Sequence, residues 1–377
     1  MKTEKDGFPV STEITEWEQA VYERLVSIDL NQEQVERIIH PATIHEKEDA
    51  VLAIHWHPEM APLELVRKRI RAMYPNAVHT LIIPTQHNEL MIYDDYAGTE
   101  VDCRATAFNR KIQILLHFAK EKIAEAHVLK SMIAHTYKYR QTQFFEFMDT
   151  ILEPAYEERL QEAARLTGTE AALVDFTRDH ARKLHKLVVK NFSATPEISI
   201  KNKLLINYFH ALREHYESHT VERAVIFLAG VKEIVKKCFR LDYFYEVNEI
   251  IEETRALGGG VIVPHPEQFW PVLLADYNVD GYEVWNPQSL EFTEFLIQVV
   301  VKKNKELKGS QRPFLVVMGD DTHLSEKILA PAVQQPDKMA REVGYQPAWH
   351  DLNIRKSLNM GDFEKHKIIE EYRSRLQ

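Results

Sequence analysis

"PFLVVMGDDTHLSEK", residues 313–327, joins a short, continuously apolar run to Asp321 and His323. A run of that length without alternation reads as a strand buried on both faces, as strands of parallel sheets are. Asp321 and His323 are two apart, so on extended backbone both side chains leave the same face at the strand's end. One reading is a turn that caps the next helix, because Asp and Thr commonly serve there. The other is a strand end built to hold a metal ion. The rest of the chain decides between them.

Six more runs share the pattern: "AVLAI" before His55, "VHTLII" before Pro84, "AGTEVDC" around Glu100, "KIQILLHF", "GGGVIVP" before His265, and "GYEVW". Helix-patterned segments such as "APLELVRKRIRAMY" and "VNEIIEETRAL" separate several of them, the latter stopped by Gly258. Strand–helix alternation of this kind predicts a parallel α/β architecture, barrel or open sheet. Residues 12–40 read as helical. From about residue 119 to 240 the text is charged and helix-patterned, broken most clearly at "SATPEIS" (193–199). The expected organisation is an N-terminal helical segment (1–45), an α/β unit made of 46–118 and 241–377, and a helical insertion (119–240).

The chain has 377 residues, 45% hydrophobic and 28% charged, which is ordinary for a globular protein with a sizeable core. It has no apolar run of about 18 residues that would span a membrane. Its polar N-terminus lacks the apolar stretch of a signal peptide. Two cysteines, Cys103 and Cys238, form no disulfide framework, so a reducing cytoplasm is expected. A net charge of −10 argues against bulk adhesion to nucleic acid, duplex DNA included.

Where the 18 histidines sit matters more than their number. In "LAIHWHPE", His55 and His57 are two apart directly after an apolar run, so both imidazoles leave one strand face. A lone His-x-His is weak evidence. Here it pairs with the Asp-x-His at the other end of the chain, while His87, Glu100 and His265 also fall within or just beyond apolar runs. In a parallel barrel the strand ends converge on one face, where active sites form. Five strands would then aim His, Asp and Glu at one point.

The motifs "HWH", "PTQHN", "GTEVDC", "GGGVIVPHPEQF", "DGYEVWN" and "MGDDTH", in this order, resemble the PHP family, named for domains of DNA polymerases and histidinol phosphatases. The resemblance implies a distorted (β/α)7 TIM-like barrel, here with a large helical insertion. It also implies one to three divalent ions (zinc, manganese or iron) and phosphoester hydrolysis by a metal-activated water. His55, His57, Glu100 and Asp321 resemble the ligands of one metal, with Glu100 bridging to a second. His265 resembles a ligand of that second ion, and His87 and His323 resemble ligands of a third. Two departures leave the second and third sites each one ligand short. Where the family carries an acidic residue or His after the first pair, only Glu59 is near. Where it often carries a His in the strand after the glutamate, this chain has Gln113, with His117 four residues on.

No side chain is assigned as a general acid or base; Asp321 and His323 are the nearest candidates. Glu283 and Asn286 are expected to line the pocket or to orient a ligating imidazole, and Asp320 to support a ligand or form a turn. Arg104 and Arg110 follow the Glu100 strand without an assigned phosphate role. His215 and His219 read as exposed residues of a helix, and His180 and His185, five apart, do not share a helical face. Cys103 lies on the strand face opposite Glu100. The expected function is a metal-dependent phosphoesterase acting on a small phosphorylated substrate. The alternatives are an amidohydrolase-type enzyme, or a non-catalytic binding or regulatory protein on the same scaffold. The insertion is expected to cover the pocket or to serve as an oligomerisation arm.

Overall fold

The computed structural model describes residues 13–307, 311–329 and 334–377. The N-terminal stretch read as lacking a signal peptide falls largely on residues 1–12, outside the described residues. Two compact units emerge. One takes residues 13–29 and Lys138–Arg240; the other takes Leu30–Tyr137 and Leu241–Gln377.

The first unit is helical. Its helices include Glu16–Val26, Tyr139–Leu152, Ala171–Lys190 and Ser218–Cys238. They bury an apolar core containing Phe144, Phe147, Leu184, Phe209 and Phe227. Inside it, Glu18 accepts hydrogen bonds from Lys183 Nζ (2.8 Å) and Tyr208 Oη (3.4 Å). The helical reading of 12–40 resolves into two helices, Glu16–Val26 and Gln32–Ile39. Each begins with a reciprocal capping box, Thr15 with Glu18 and Asn31 with Gln34, so the second box starts a new helix.

The second unit carries the strands: β1 (Ala50–Ala53), β2 (Trp56–His57), β3 (His79–Ile82), β4 (Met91–Tyr93), β5 (Tyr96–Ala105), β6 (Arg110–Ala119), β7 (Gly260–Val263), β8 (Gly281–Trp285), β9 (Leu315–Met318) and β10 (Thr322–His323). All seven expected runs form strands. They lie in three sheets: β1 beside β3, β2 beside β10, and the six-stranded order β4-β5-β6-β7-β8-β9. None of these sheets closes on itself, and the architecture is mixed α/β. Leu52, Val101, Leu115, Ile262, Tyr282 and Val316 contribute to one buried core.

Strand direction departs from the all-parallel expectation. β1–β3, β2–β10, β7–β8 and β8–β9 are parallel, but β4–β5, β5–β6 and β6–β7 are antiparallel. The physical reason is the link between β5 and β6. Residues 106–109 are too few for a parallel crossover, and Asn109 takes the left-handed backbone (φ 50°) that turns a hairpin. β6 therefore runs opposite to β7, and the C-terminal end of "KIQILLHF" lies at the start of β7, with His117 opposite Gly260. In a parallel barrel the end of this strand would join the other strand ends at the site; here it points away from His265, at the far end of β7.

The C-terminal helix Lys365–Leu376 packs its Tyr372 close to Gly260, where a Cβ would come 2.5 Å from the Tyr372 hydroxyl. No described helix is long and apolar enough to cross a membrane.

Candidate metal centre

Parallel pairing of β2 with β10 sets His57 directly beside His323, and their rings stack at 4.3 Å. His55, just before β2, accepts a backbone hydrogen bond from Asp321 N (2.9 Å) through its carbonyl. The chain beyond β3 returns alongside β5, where Asn88 N donates to Glu100 O and Glu100 N donates to Gln86 O. That pairing seats His87 against the Glu100 carboxylate and stacks its ring on His57 at 4.2 Å. His265 follows β7 between two prolines.

Glu59, Asn88, His265 and Asp321 all hold left-handed backbone (φ 52°, 52°, 29° and 46°) without being glycine. Such strain is found where function over-determines the backbone; these four lie around one group of side chains, while Asp94, Asn109 and Asp362 take the same conformation elsewhere.

The seven residues with expected ligand roles come together. Three groups among the described residues could hold a metal ion: His55, His57 and Asp321; His55, Glu100 and His265; His57, His87 and His323. Within each group the donor atoms lie within 4.8 Å of one another. His55 and His57 are each shared by two groups, so the groups adjoin.

The two carboxylates lie among the imidazoles. Asp321 Oδ1 is 3.7 Å from His55 Nε2, 3.3 Å from His57 Nε2 and 3.4 Å from His323 Nε2. Glu100 lies 3.9 Å from His55, 3.7 Å from His57 and 3.4 Å from His265.

The donor set fits a divalent cation. His57 is fully buried; its Nδ1 has no hydrogen bond, and its Nε2 and the Glu100 Oε2 face Asp321 Oδ1 (3.3 Å) and His87, which are themselves possible metal donors. Buried imidazoles and carboxylates that face chiefly one another form a donor set suited to a divalent cation. Burial and the neighbouring His87 and His323 pull His57 down to about 3. Burial opposes ionisation of Glu100, but His87, His265 and His57 outweigh it and hold the carboxyl well below the usual range. Asp321 is held low against burial by His323, His57 and His55.

Supporting contacts fix these groups. Burial would depress His55, but Glu283, with Oε2 2.5 Å from Nδ1, raises it to about 10. Glu283 Oε1 in turn accepts from Asn286 Nδ2 (2.9 Å) and His265 N (3.3 Å). A carboxylate behind an imidazole fixes its tautomer and directs the other nitrogen, here Nε2, toward the ion. Asp320 is buried, accepts from Thr322 N and Gly344 N, and is pushed up to about 7, chiefly by burial.

Glu59 lies 3.5 Å from His323 Nδ1 and accepts from Ser325 N. Burial works against His323, but Asp321 and Glu59 raise it to about 9.

Other candidates lie elsewhere. His117 is not brought into the cluster: one ring nitrogen is 3.0 Å from Ile54 O and the other 2.6 Å from Tyr372 Oη. Gln113 occupies the position beside His87, at 3.5 Å. Asp102 pairs with Lys111 and Asn88. Cys103 is buried, which pushes its thiol well up and leaves it a poor nucleophile. Arg104 lies 3.6 Å from Glu246, and Arg110 is exposed at the β5–β6 hairpin. His215 and His219 are exposed, but His215 precedes the helix Ser218–Cys238, so the two do not share a helix. His180 is buried in the helical unit against Phe176 and Tyr216.

Two residues escaped the sequence reading. Gln288 Nε2 (2.6 Å) and Arg341 Nη1 (3.0 Å) both donate to Asp321 Oδ2, leaving Oδ1 to the histidines. Gln288 follows "GYEVWNP" closely and could have been suspected; nothing in the sequence marks Arg341.

No family model matches the chain, and no curated protein matches it. Among solved structures it is similar to a Bifidobacterium adolescentis protein provisionally assigned as a metal-dependent phosphoesterase. The identity is 15% over 92% of this chain and 91% of that one, with a TM-score of 0.38. A likeness at that level establishes neither a shared fold nor a shared activity.

Proposed function

We propose that the protein is a metal-dependent hydrolase of phosphoesters, with its centre formed by His55, His57, His87, Glu100, His265, Asp321 and His323. The observation that carries this reading is the adjoining of three donor groups through shared His55 and His57, around two buried carboxylates kept ionised. Adjoining sites suit a reaction in which charge develops on several oxygens at once. Divalent ions bound there would neutralise phosphoryl oxygens and lower the pKa of a water toward ~7.

The chain's own residues do the positioning. Glu283 turns His55 Nε2 toward Asp321 and Glu100. Gln288 and Arg341 hold one oxygen of Asp321 so that the other faces the histidines. The side chains of His87, His265 and His323 are 16%, 11% and 28% exposed, and they form the mouth by which a phosphoryl group would enter. His55, His57 and Glu100 are closed to water beneath them.

We further propose that the three sheets belong to one distorted seven-stranded barrel. Hydrogen bonds from Thr85 N to Trp56 O, Asp321 N to His55 O and Gly319 N to Trp285 O run between neighbouring strand ends, which supports that reading. The direct test is a panel of phosphomonoesters and phosphodiesters offered to metal-supplemented and chelator-treated protein. Hydrolysis that is lost with the metal and restored by its return is expected. Metal-loaded protein inert toward the whole panel would refute the assignment.

A further inference from the structure

Residues 340–344 form no helix or strand, yet buried groups hold them from several sides. Lys327 Nζ donates to the carbonyls of Met339 and Arg341 (2.8 Å to the latter) and to Glu342 Oε1 (3.0 Å). Arg69 grips the Glu342 carboxylate through Nε (2.8 Å) and Nη2. Tyr74 Oη donates to Val343 O (3.0 Å), and Gly344 N donates to Asp320 Oδ2 (2.8 Å). Arg69, Lys327, Glu342 and Asp320 are all buried. Burying charges to fix a loop is costly, and the result is a fixed backbone on both sides of Arg341.

The Arg341 guanidinium is used only in part. Nη1 donates to Asp321 O (3.1 Å) and to Asp321 Oδ2 (3.0 Å). Nε is buried without a partner, and Nη2 makes no hydrogen bond among the described residues. Support of Asp321 does not by itself account for so firmly held an arginine, since Gln288 already donates to the same oxygen at 2.6 Å. A guanidinium is a planar fork whose donors match the oxygens of a phosphate. This one lies against a carboxylate of the metal centre, with its side chain 10% exposed.

We infer that Arg341 binds the phosphoryl group of the substrate through Nη2, the donor that Asp321 leaves unused, and that it selects phosphomonoesters over diesters. The inference rests on the phosphoesterase reading and gives it a substrate class. A monoester presents one more non-bridging oxygen than a diester, and a second negative charge. A fixed cation beside the donor groups therefore adds most to the binding of the monoester.

Binding of inorganic phosphate and of dimethyl phosphate, measured by calorimetry on the full chain at saturating metal, tests it apart from turnover. Arg341→Gln should weaken phosphate binding about tenfold or more, because a charge-assisted hydrogen bond is lost, and should leave the weaker binding of dimethyl phosphate nearly unchanged. Arg341→Lys, which keeps the charge but not the fork, should recover part of that loss. Gln288→Ala removes the other donor to Asp321 and should leave phosphate affinity at saturating metal near wild type. Unchanged phosphate affinity in Arg341→Gln would overturn the inference. So would an equal loss in Gln288→Ala, an equal loss for dimethyl phosphate, or a wild type that binds no phosphate. Hydrolysis of mono- and diesters keeps the two claims apart. Phosphate binding that depends on Arg341, without hydrolysis of any ester, would sink the reaction and keep the role of Arg341. Hydrolysis with unchanged phosphate affinity in Arg341→Gln would sink that role and keep the reaction.

Discussion

Gly319→Ala would strike the metal centre without replacing a ligand. A Cβ built on Gly319 would lie 2.0 Å from Glu283 Oε2, 2.5 Å from its Cδ and 2.8 Å from His55 Nδ1. Normal contact is ~3.5–4.0 Å, so Glu283 would have to withdraw by more than about 1 Å. It has nowhere easy to go. Its other oxygen is held by Asn286 and the His265 amide, and both Glu283 and His55 are about 1% exposed. Overpacking of this kind costs ~1–3 kcal/mol, and stranding a buried hydrogen-bonding group costs a further ~1–3 kcal/mol, so the variant should lose about 2–6 kcal/mol. Losing the group that orients a ligating imidazole typically weakens metal binding by ~10–100-fold. Denaturant unfolding of the chelator-treated protein reads the first effect, and chelator-competition titration with zinc or manganese reads the second. Glu283→Ala should reproduce the metal loss, and the double variant should bind metal no worse than Glu283→Ala alone, since both changes break the same contact. Wild-type metal affinity in Gly319→Ala would refute the reasoning that Glu283 sets His55.

His55→Ala or Asp321→Ala should abolish hydrolysis and reduce metal content, whereas His215→Ala, on the exposed surface of the helical unit, should leave both near wild type. His117→Gln should lower stability by ~1–3 kcal/mol through its bonds to Ile54 and Tyr372 while metal content stays unchanged; loss of metal would put His117 back among the ligands. Glu18 supplies a pH dependence. Burial opposes its ionisation, but the Lys183 hydrogen bond and charge outweigh burial and hold its folded-state carboxyl below the ordinary value. Its contribution is therefore fully present above that ordinary value of 4.5 and is lost as the pH falls from there through the lower folded-state value. Glu18→Gln should be less stable than wild type by ~1–3 kcal/mol at pH 7, and the gap in unfolding curves should shrink once the pH falls below the ordinary value and close below the folded-state value.

The sequence revealed the strands and the side chains at their ends because those depend on local pattern. "LAIHWH" and "MGDDTH" each set two donors close together, and the two pairs meet in the structure, although Asp321 reaches the cluster from left-handed backbone (φ 46°) just before β10 and not along an extended strand. What escaped it was long-range. Nothing local says that β2 pairs with β10, although that pairing sets His57 against His323. The reversal of β6 was legible in principle, since four residues between two strands allow only a hairpin. Its consequence reaches the site, because it is Gln113 and not His117 that borders His87. The grip of Arg341 on Asp321 depends on how a loop twenty residues downstream folds back, which no periodicity encodes. The break at Ser27–Asn31 was readable from Asn31 and Gln34, but the apolar spacing on either side concealed it.

Anomalous diffraction from crystals of the metal-supplemented protein, recorded at the absorption edge of the bound metal, would locate the ions. Anomalous density is expected beside the Glu100 and Asp321 carboxylates, within coordination distance of His55 and His57. Protein that carries no metal after supplementation, or density only at sites away from these residues, would contradict it.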